Sequence, residues 1–244
     1  MTGTLHNIAA TIYTEVHRLR TGGTYHLRCG NLSATFANRS PWMQDRLELQ
    51  KQKECPVIQD LLGDLRTEDT FWDVGAAYGL YSCLIGVAKP EATVVAFEPH
   101  PDHTSLIRDN LSTNGVKAMV YNAALGAESR KVAYQFDTEQ TIGNPAGDTE
   151  AVSMKRGDAL VSEGCVPPPD VVKIDVEGAE LDVLTGMENT LNTSTRTVYC
   201  ETHPEKPMLD QPTEQVSAWL TEHGYDVGTV ETGAGEEPLL RGTK

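Results

Sequence analysis

The stretch Phe71-Trp72-Asp73-Val74-Gly75-Ala76-Ala77-Tyr78-Gly79-Leu80-Tyr81-Ser82 constrains this chain more than any other part of it. Its first residues are bulky and apolar until Asp73, as expected of a buried strand near its C-terminal end. Two glycines follow four apart, and then Leu80, Tyr81, Leu84, Ile85 and Ala88 recur at helical spacing. Strand, glycine turn and helix together open a nucleotide-type binding unit. The glycines let the backbone approach a ligand, and the helix start offers unpaired N–H groups.

The spacing narrows the ligand. A dinucleotide fingerprint reads G-x-G-x-x-G, whereas this loop reads D-x-G-x-x-x-G and places Tyr78 where a pyrophosphate would pass. Asp73 suits a cationic ligand better than an anionic one. Glu98 ends the next expected strand, Thr93 to Phe97, where a carboxylate can accept both hydroxyls of a ribose. A nucleoside with a positively charged tail meets these requirements, and S-adenosylmethionine is such a molecule. A plain tight turn of an α/β protein accounts for the glycines alone, but not for Asp73, Gly75, Gly79 and Glu98 together.

From Thr70 onward strands and helices alternate, which predicts a mostly parallel sheet with helices on both faces. A helix is expected from Pro101 through Leu111, stopped by Asn114-Gly115, and a third strand from Lys117 to Tyr121. Val132 to Phe136 reads as a further strand and Asp137 to Ala151 as a loop. Pro167-Pro168-Pro169 delivers the chain into a fourth strand, Val171 to Asp175. One helix carrying Leu181, Leu184, Met187 and Leu191 follows, then a fifth strand, Thr197 to Glu201. Val216, Trp219 and Leu220 mark a helix, and a C-terminal antiparallel hairpin runs from Gly224 to about Leu240.

Residues 1–69 read as an N-terminal extension packed on the 70–244 domain. Ile8, Ile12, Val16 and Leu19 predict a helix, and Gly30-Asn31 predicts a hairpin between Tyr25–Cys29 and Leu32–Phe36. Pro41 opens a charge-rich stretch with no assignment, and a helix is expected to begin near Pro56.

Lysine and arginine number 20 against 35 acidic residues, a net charge of −15 spread along the chain. Such a surface is a poor match for a polyanion such as nucleic acid and points to a salt-rich, halophilic cytoplasm, with an ordinary acidic mesophile as the alternative. No apolar run approaches the ~20 residues needed for a membrane span, and the start lacks a secretory pattern. The five cysteines are scattered and odd in number, which predicts reduced thiols in a cytoplasmic protein.

Two segments carry a family resemblance. Asp73 to Ser82 resembles motif I of class I S-adenosylmethionine-dependent methyltransferases. Val172-Lys173-Ile174-Asp175-Val176-Glu177-Gly178-Ala179-Glu180, with Val183-Leu184 and Gly186, resembles the hallmark of the FkbM family within that class. Glu98-Pro99, Ala124-Leu125-Gly126 and Glu201-Thr202-His203 fall in the family's order. The resemblance implies a Rossmann-like class I methyltransferase fold and O-methylation of a hydroxyl on a sugar, glycolipid or secondary metabolite. It implies that Gly75, Ala76 and Gly79 line the methionine end of the cofactor, that Glu98 holds the ribose, and that Asn122 and Ala123 lie near the adenine. The family usually has Asn where this chain has Ala77.

Methyl transfer to an alcohol rests on positioning and gains from a general base. Asp175 and Glu177 after strand four, with His203 after strand five, are the candidates, because ligands bind at the C-terminal ends of such strands. Of the three, His203 has the most suitable unperturbed pKa. The competing structural reading makes Asp175 or Glu177 a helix cap and Glu201 a buried partner for Lys173. Paired carboxylates also suit Mg²⁺, yet nothing in the sequence requires a metal, and His100 and His103 read as surface residues. A nicotinamide-dependent oxidoreductase and a catalytically silent cofactor-binding protein are the alternative functions. The small-molecule or glycan acceptor is not specified.

Overall fold

The computed structural model describes residues 16, 19–135, 149–204, 212–233 and 238–244. The helix expected across Ile8 to Leu19 falls outside these except for Val16 and Leu19, which are exposed. Most of the Asp137 to Ala151 loop also falls outside them.

The chain opens with strands β1 (Thr24–Cys29) and β2 (Leu32–Ala37), paired antiparallel with Cys29 opposite Leu32, so that Gly30-Asn31 forms a two-residue turn. Helix α1 then runs from Pro41 to Asp64. It starts fifteen residues earlier than the sequence reading, because Ser40 caps the Met43 N–H and Pro41 supplies a preset first-turn φ. Pro56 lies inside this helix. It has no N–H to give the Gln52 carbonyl, and the chain around Gly233 packs against this turn, the Gly233 N–H donating to the adjacent Lys53 carbonyl at 3.1 Å.

Strand β3 (Thr70–Val74), helix α2 (Leu80–Ala88), strand β4 (Thr93–Phe97), helix α3 (Pro101–Thr113) and strand β5 (Ala118–Tyr121) follow as expected. The short strands β6 (Ala124–Leu125), β7 (Arg130–Gln135) and β8 (Thr149–Lys155) form a separate three-stranded sheet. The loop expected to reach Ala151 thus ends earlier, because Thr149 onward pairs with β7. After helix α4 (Gly157–Ser162) comes strand β9 (Val171–Ile174). The single helix expected next is two, α5 (Glu180–Gly186) and α6 (Glu188–Thr193), separated at Met187. A Cβ on Gly186 would stand 2.0 Å from the Gly126 carbonyl oxygen, so the chain bends where it passes that loop. Strand β10 (Thr197–Glu201), helix α7 (Thr213–Glu222) and strands β11 (Asp226–Val230) and β12 (Leu239–Thr243) complete the fold.

The main sheet has the order β11-β12-β10-β9-β3-β4-β5. Its core strands are parallel, and β12 enters antiparallel between β10 and β11. This is the Rossmann-like fold expected from the sequence. Period-two alternation divides two cores across the sheet: Phe71 packs with α1, α2 and α3, whereas Trp72 and Val74 pack with α5 and α7. Leu27 and Phe36 of the hairpin, with Leu47, Val57, Ile58 and Leu61 of α1, belong to the first core. Asn114 fixes the outer strand by accepting from the Thr35 N–H and donating to its carbonyl, both at 2.8 Å.

Cys29 and Cys55 form a disulfide between β1 and α1, their Cα atoms 5.3 Å apart. The expectation of reduced thiols throughout is therefore corrected. The hairpin turn brings Cys29 onto a helical turn that the sequence reading had placed before the helix began. The pairing also withdraws the argument from thiols to a reducing compartment. No helix among the described residues is long and apolar enough to cross a membrane.

Candidate active site

The glycine turn is fastened to the tips of the neighbouring strands. Gly75 and Ala76 donate their N–H groups to the Phe97 carbonyl at 2.9 and 3.1 Å. Gly75 has φ 83°, and a Cβ there would stand 1.8 Å from the Asp175 carbonyl oxygen. Only glycine lets the ends of β3 and β9 approach so closely. Ala77 holds a left-handed φ of 48° and donates its N–H to Glu98 Oε2 at 2.9 Å. Glu98 Oε1 accepts from the His100 N–H at 2.8 Å, which fixes the carboxylate at the tip of β4.

Asp73 is fully buried and turned toward α2, where its Oδ2 accepts from the Ser82 N–H at 3.0 Å and the Ser82 hydroxyl at 2.6 Å. Burial raises its pKa against those hydrogen bonds. Gly79, φ 77°, begins α2 against Ile107. Asn122 donates to the Glu98 and Pro99 carbonyls at 3.1 and 2.8 Å, with Ala123 buried beside it. His100 and His103 are buried and stacked at 4.5 Å, contrary to the surface placement expected for them. His100 Nδ1 accepts from the Asp102 N–H and caps α3, which is why the pair turns inward.

The tips of β9 and β10, adjacent and parallel, bring Asp175, Glu177 and His203 together. His203 Nε2 stands 3.6 Å from Asp175 Oδ1 and 3.7 Å from Glu177 Oε2, and its Nδ1 meets Glu180 Oε1 at 2.8 Å. Glu177 and Gly178 turn the chain here with φ 58° and 104°. Burial opposes a charge on His203, but the Glu180 hydrogen bond and the charges of Asp175 and Glu177 outweigh it. The imidazole pKa is raised to about 9. These surroundings favour the imidazolium form at neutral pH, in contrast to the unperturbed pKa expected of His203.

Lys173 pairs with Asp175 at 2.6 Å and lies 4.7 Å from the Tyr81 ring centroid, so Asp175 keeps a lowered pKa despite its burial. Glu201 does not take Lys173 as its partner; Lys53 of α1 reaches it at 2.5 Å. Burial, followed by the charge of Asp175, raises Glu201 to about 7 against the pull of Lys173. Glu54 accepts from the Tyr81 hydroxyl at 2.5 Å. Lys53, Glu54 and Glu180 are residues the sequence reading did not select. The cap and proline at Ser40-Pro41 were the available signal for the first two, since they set the phase of α1.

Among the described residues, Asp175, Glu177 and His203 form the one group whose ligand atoms lie within 4.8 Å of one another in a way that could hold a metal ion. The strand tips are lined by carboxylates, Glu98, Asp175 and Glu177. That donor chemistry fits the sulfonium and ribose of S-adenosylmethionine and opposes a pyrophosphate.

A family model described as the methyltransferase FkbM domain matches residues 73–227. The chain is 35% identical over 153 residues to the hexuronic acid methyltransferase AglP of Haloferax volcanii, covering 62% of each chain. It is 26% identical to the 31-O-demethyl-FK506 methyltransferase FkbM of Streptomyces tacrolimicus, covering 74% of this chain and 80% of that one. Among solved structures, the methyltransferase FkbM of Methylobacillus flagellatus superimposes with a TM-score of 0.54 at 18% identity, over 74% of this chain and 45% of that one. A precorrin-6y C5,15-methyltransferase from Geobacter metallireducens gives 0.51 at 18%, over 77% and 87%. These two likenesses are of fold. With the matched domain running from the acid of β3 to the edge strand β11, this chain belongs to the FkbM methyltransferase family.

Proposed function

We propose that this protein transfers a methyl group from S-adenosylmethionine to a hydroxyl of a small molecule or glycan. A sugar is favoured over other secondary metabolites by the likeness to a hexuronic acid methyltransferase. The observation that carries the reading is the meeting of Asp175, Glu177 and His203 at two adjacent strand tips, across from the glycine turn and Glu98.

In this reading the bound cofactor supplies an activated methyl group on a cationic sulfur. Gly75, Ala76 and Gly79 shape the turn against its methionine end, Glu98 receives the ribose hydroxyls, and Asn122 and Ala123 flank the adenine. Each oxygen of Glu98 has a second lone pair beyond the backbone N–H it already accepts. On the acceptor side the hydroxyl loses its proton as its oxygen attacks. His203 is already protonated at neutral pH, so it orients the carboxylates facing its Nε2. Glu177, with more than a third of its side chain exposed, is placed to take the proton and release it to water. Such a base contributes about 10²–10⁴-fold.

Calorimetric titration with S-adenosylhomocysteine and NAD side by side, followed by product detection with a labelled methyl donor, tests the reading. Binding of the first ligand alone and label in a sugar fraction are expected. NAD binding, or cofactor binding with no labelled product from any host glycan or lipid, would refute it.

A further inference from the structure

One wall of the acceptor side comes from α1. Lys53 reaches the last residue of β10, whereas Asp60 and Asp64 accept from the Tyr199 hydroxyl in the middle of that strand. The helix therefore runs antiparallel to β10, and the residues before Lys53 lie beyond the strand tips. Arg46, Gln50 and Lys53 are spaced to share one face of this overhang. From Arg46 to Lys53 is roughly 10 Å along the axis, a span that one substituted sugar ring can fill.

This overhang has unmet bonding. Arg46 Nε, Gln50 Oε1 and the Tyr78 hydroxyl are buried atoms with no hydrogen-bond partner among the described residues. Tyr78 itself is only 3% exposed, and in the glycine turn burial raises its pKa against the charge and side-chain contact of the neighbouring Arg46. No carboxylate among the described residues forms an ion pair with Arg46, in a chain with 35 acidic residues. Its guanidinium instead lies 5.8 Å from the ring of Trp42, an indole left 40% exposed one turn earlier.

We propose that Arg46 and Tyr78 bind the carboxylate of an acidic sugar whose acceptor hydroxyl lies at Asp175, Glu177 and His203. This rests on the sugar O-methyltransferase reading above. The guanidinium fork pairs with both carboxylate oxygens, the Tyr78 hydroxyl donates to one of them, and Gln50 Oε1 accepts from a ring hydroxyl. The exposed indole of Trp42 lies against the apolar face of the ring. An unpaired cation half-buried above an anionic cleft gains a partner when a uronic acid binds, and a neutral sugar leaves it unmatched.

The test measures binding of methyl β-glucuronide, methyl β-glucoside and glucose 6-phosphate to the full chain, with and without S-adenosylhomocysteine, by calorimetry and saturation-transfer NMR. The glucuronide should bind at least about tenfold more tightly than the glucoside. Arg46→Gln should abolish that preference while the melting temperature and S-adenosylhomocysteine affinity stay unchanged. Arg46→Lys, which keeps the charge without the fork, should retain only part of it and serves if the first variant does not fold. Trp42→Ala should weaken both neutral and acidic sugars alike. Equal affinity for glucuronide and glucoside, no binding of either, or a preference that survives Arg46→Gln would overturn the proposal. Tighter binding of the phosphate ester would overturn the carboxylate as the recognised group. Failure of S-adenosylhomocysteine to bind would sink the methyltransferase reading instead, while the sugar measurements on the protein alone still decide the role of Arg46.

Discussion

The protonation of His203 is the most consequential quantity in the site, and its cost can be worked out. The ring is buried, with four carboxylates, Asp175, Glu177, Glu180 and Glu201, between 2.8 and 3.8 Å from its nitrogens. Its pKa rises from 6.5 to about 9 on folding. At about 1.4 kcal/mol per tenfold change in proton affinity, the charged ring stabilises the folded state by roughly 3 kcal/mol. The sign follows from linkage: a raised pKa gives stability that is complete below about pH 6.5 and is lost as pH climbs through about 9. Urea unfolding between pH 6 and pH 10 should therefore show the wild type losing roughly 3 kcal/mol more than His203→Gln. An NMR titration of the ring should place its midpoint near 9. Parallel stability profiles for the two proteins, or a midpoint near 6.5, would refute the reasoning. They would also restore a neutral His203 as the proton acceptor, in place of Glu177.

Three further outcomes are expected. Glu98→Ala should weaken S-adenosylhomocysteine binding, since each charge-assisted hydrogen bond to a ribose hydroxyl is worth about 1.5–3 kcal/mol. An unchanged dissociation constant would show that the ribose lies elsewhere. Ala77→Gly should raise the melting point by a few degrees, because a left-handed alanine costs roughly 1–2 kcal/mol and the added glycine entropy returns about 0.5–1. A lower midpoint would contradict that account. Melting curves in KCl should shift upward toward 1 M salt, where a Debye length of about 3 Å screens the repulsion of the −15 surface; a flat or falling midpoint would count against it.

The parallel core was legible because strands buried on both faces read as apolar runs, and because glycine and proline punctuate them. Phe71-Trp72 and Val171-Val172 show this directly. The placement of Asp175 and Glu177 at one strand tip, which comes from one segment, was legible for the same reason. What escaped was set by long-range packing. Lys53 and Glu54 lie 148 and 27 residues from their partners Glu201 and Tyr81, so no local spacing marks them. Pro56 misled because Ser40 and Pro41 start the helix well before it, and the interrupted turn packs against Gly233, far along the chain. The pKa of His203 depends on carboxylates from two strand tips and a helix start, an arrangement that exists only after folding. Ala77 is the converse case: its left-handed φ of 48° is a backbone state that Asn or Gly adopts more readily, and nothing local in the sequence announces it.

The position of β12 bears on how the protein is made. It leaves the ribosome after β11 yet must lie inside the sheet, antiparallel to both β10 and β11. Until residues 239–243 emerge, β10 presents an open edge and β11 has no neighbour in the sheet. The same segment also brings Arg241, which pairs at 2.6 Å with Asp64 at the end of α1, and the Lys244 N–H, which donates to the Arg196 carbonyl. Sheet closure thus does not proceed in chain order. A stalled or prematurely ended chain would hold the glycine turn and the acidic cleft beside an exposed strand edge, the kind of surface that pairs with other chains and marks a nascent protein for chaperones.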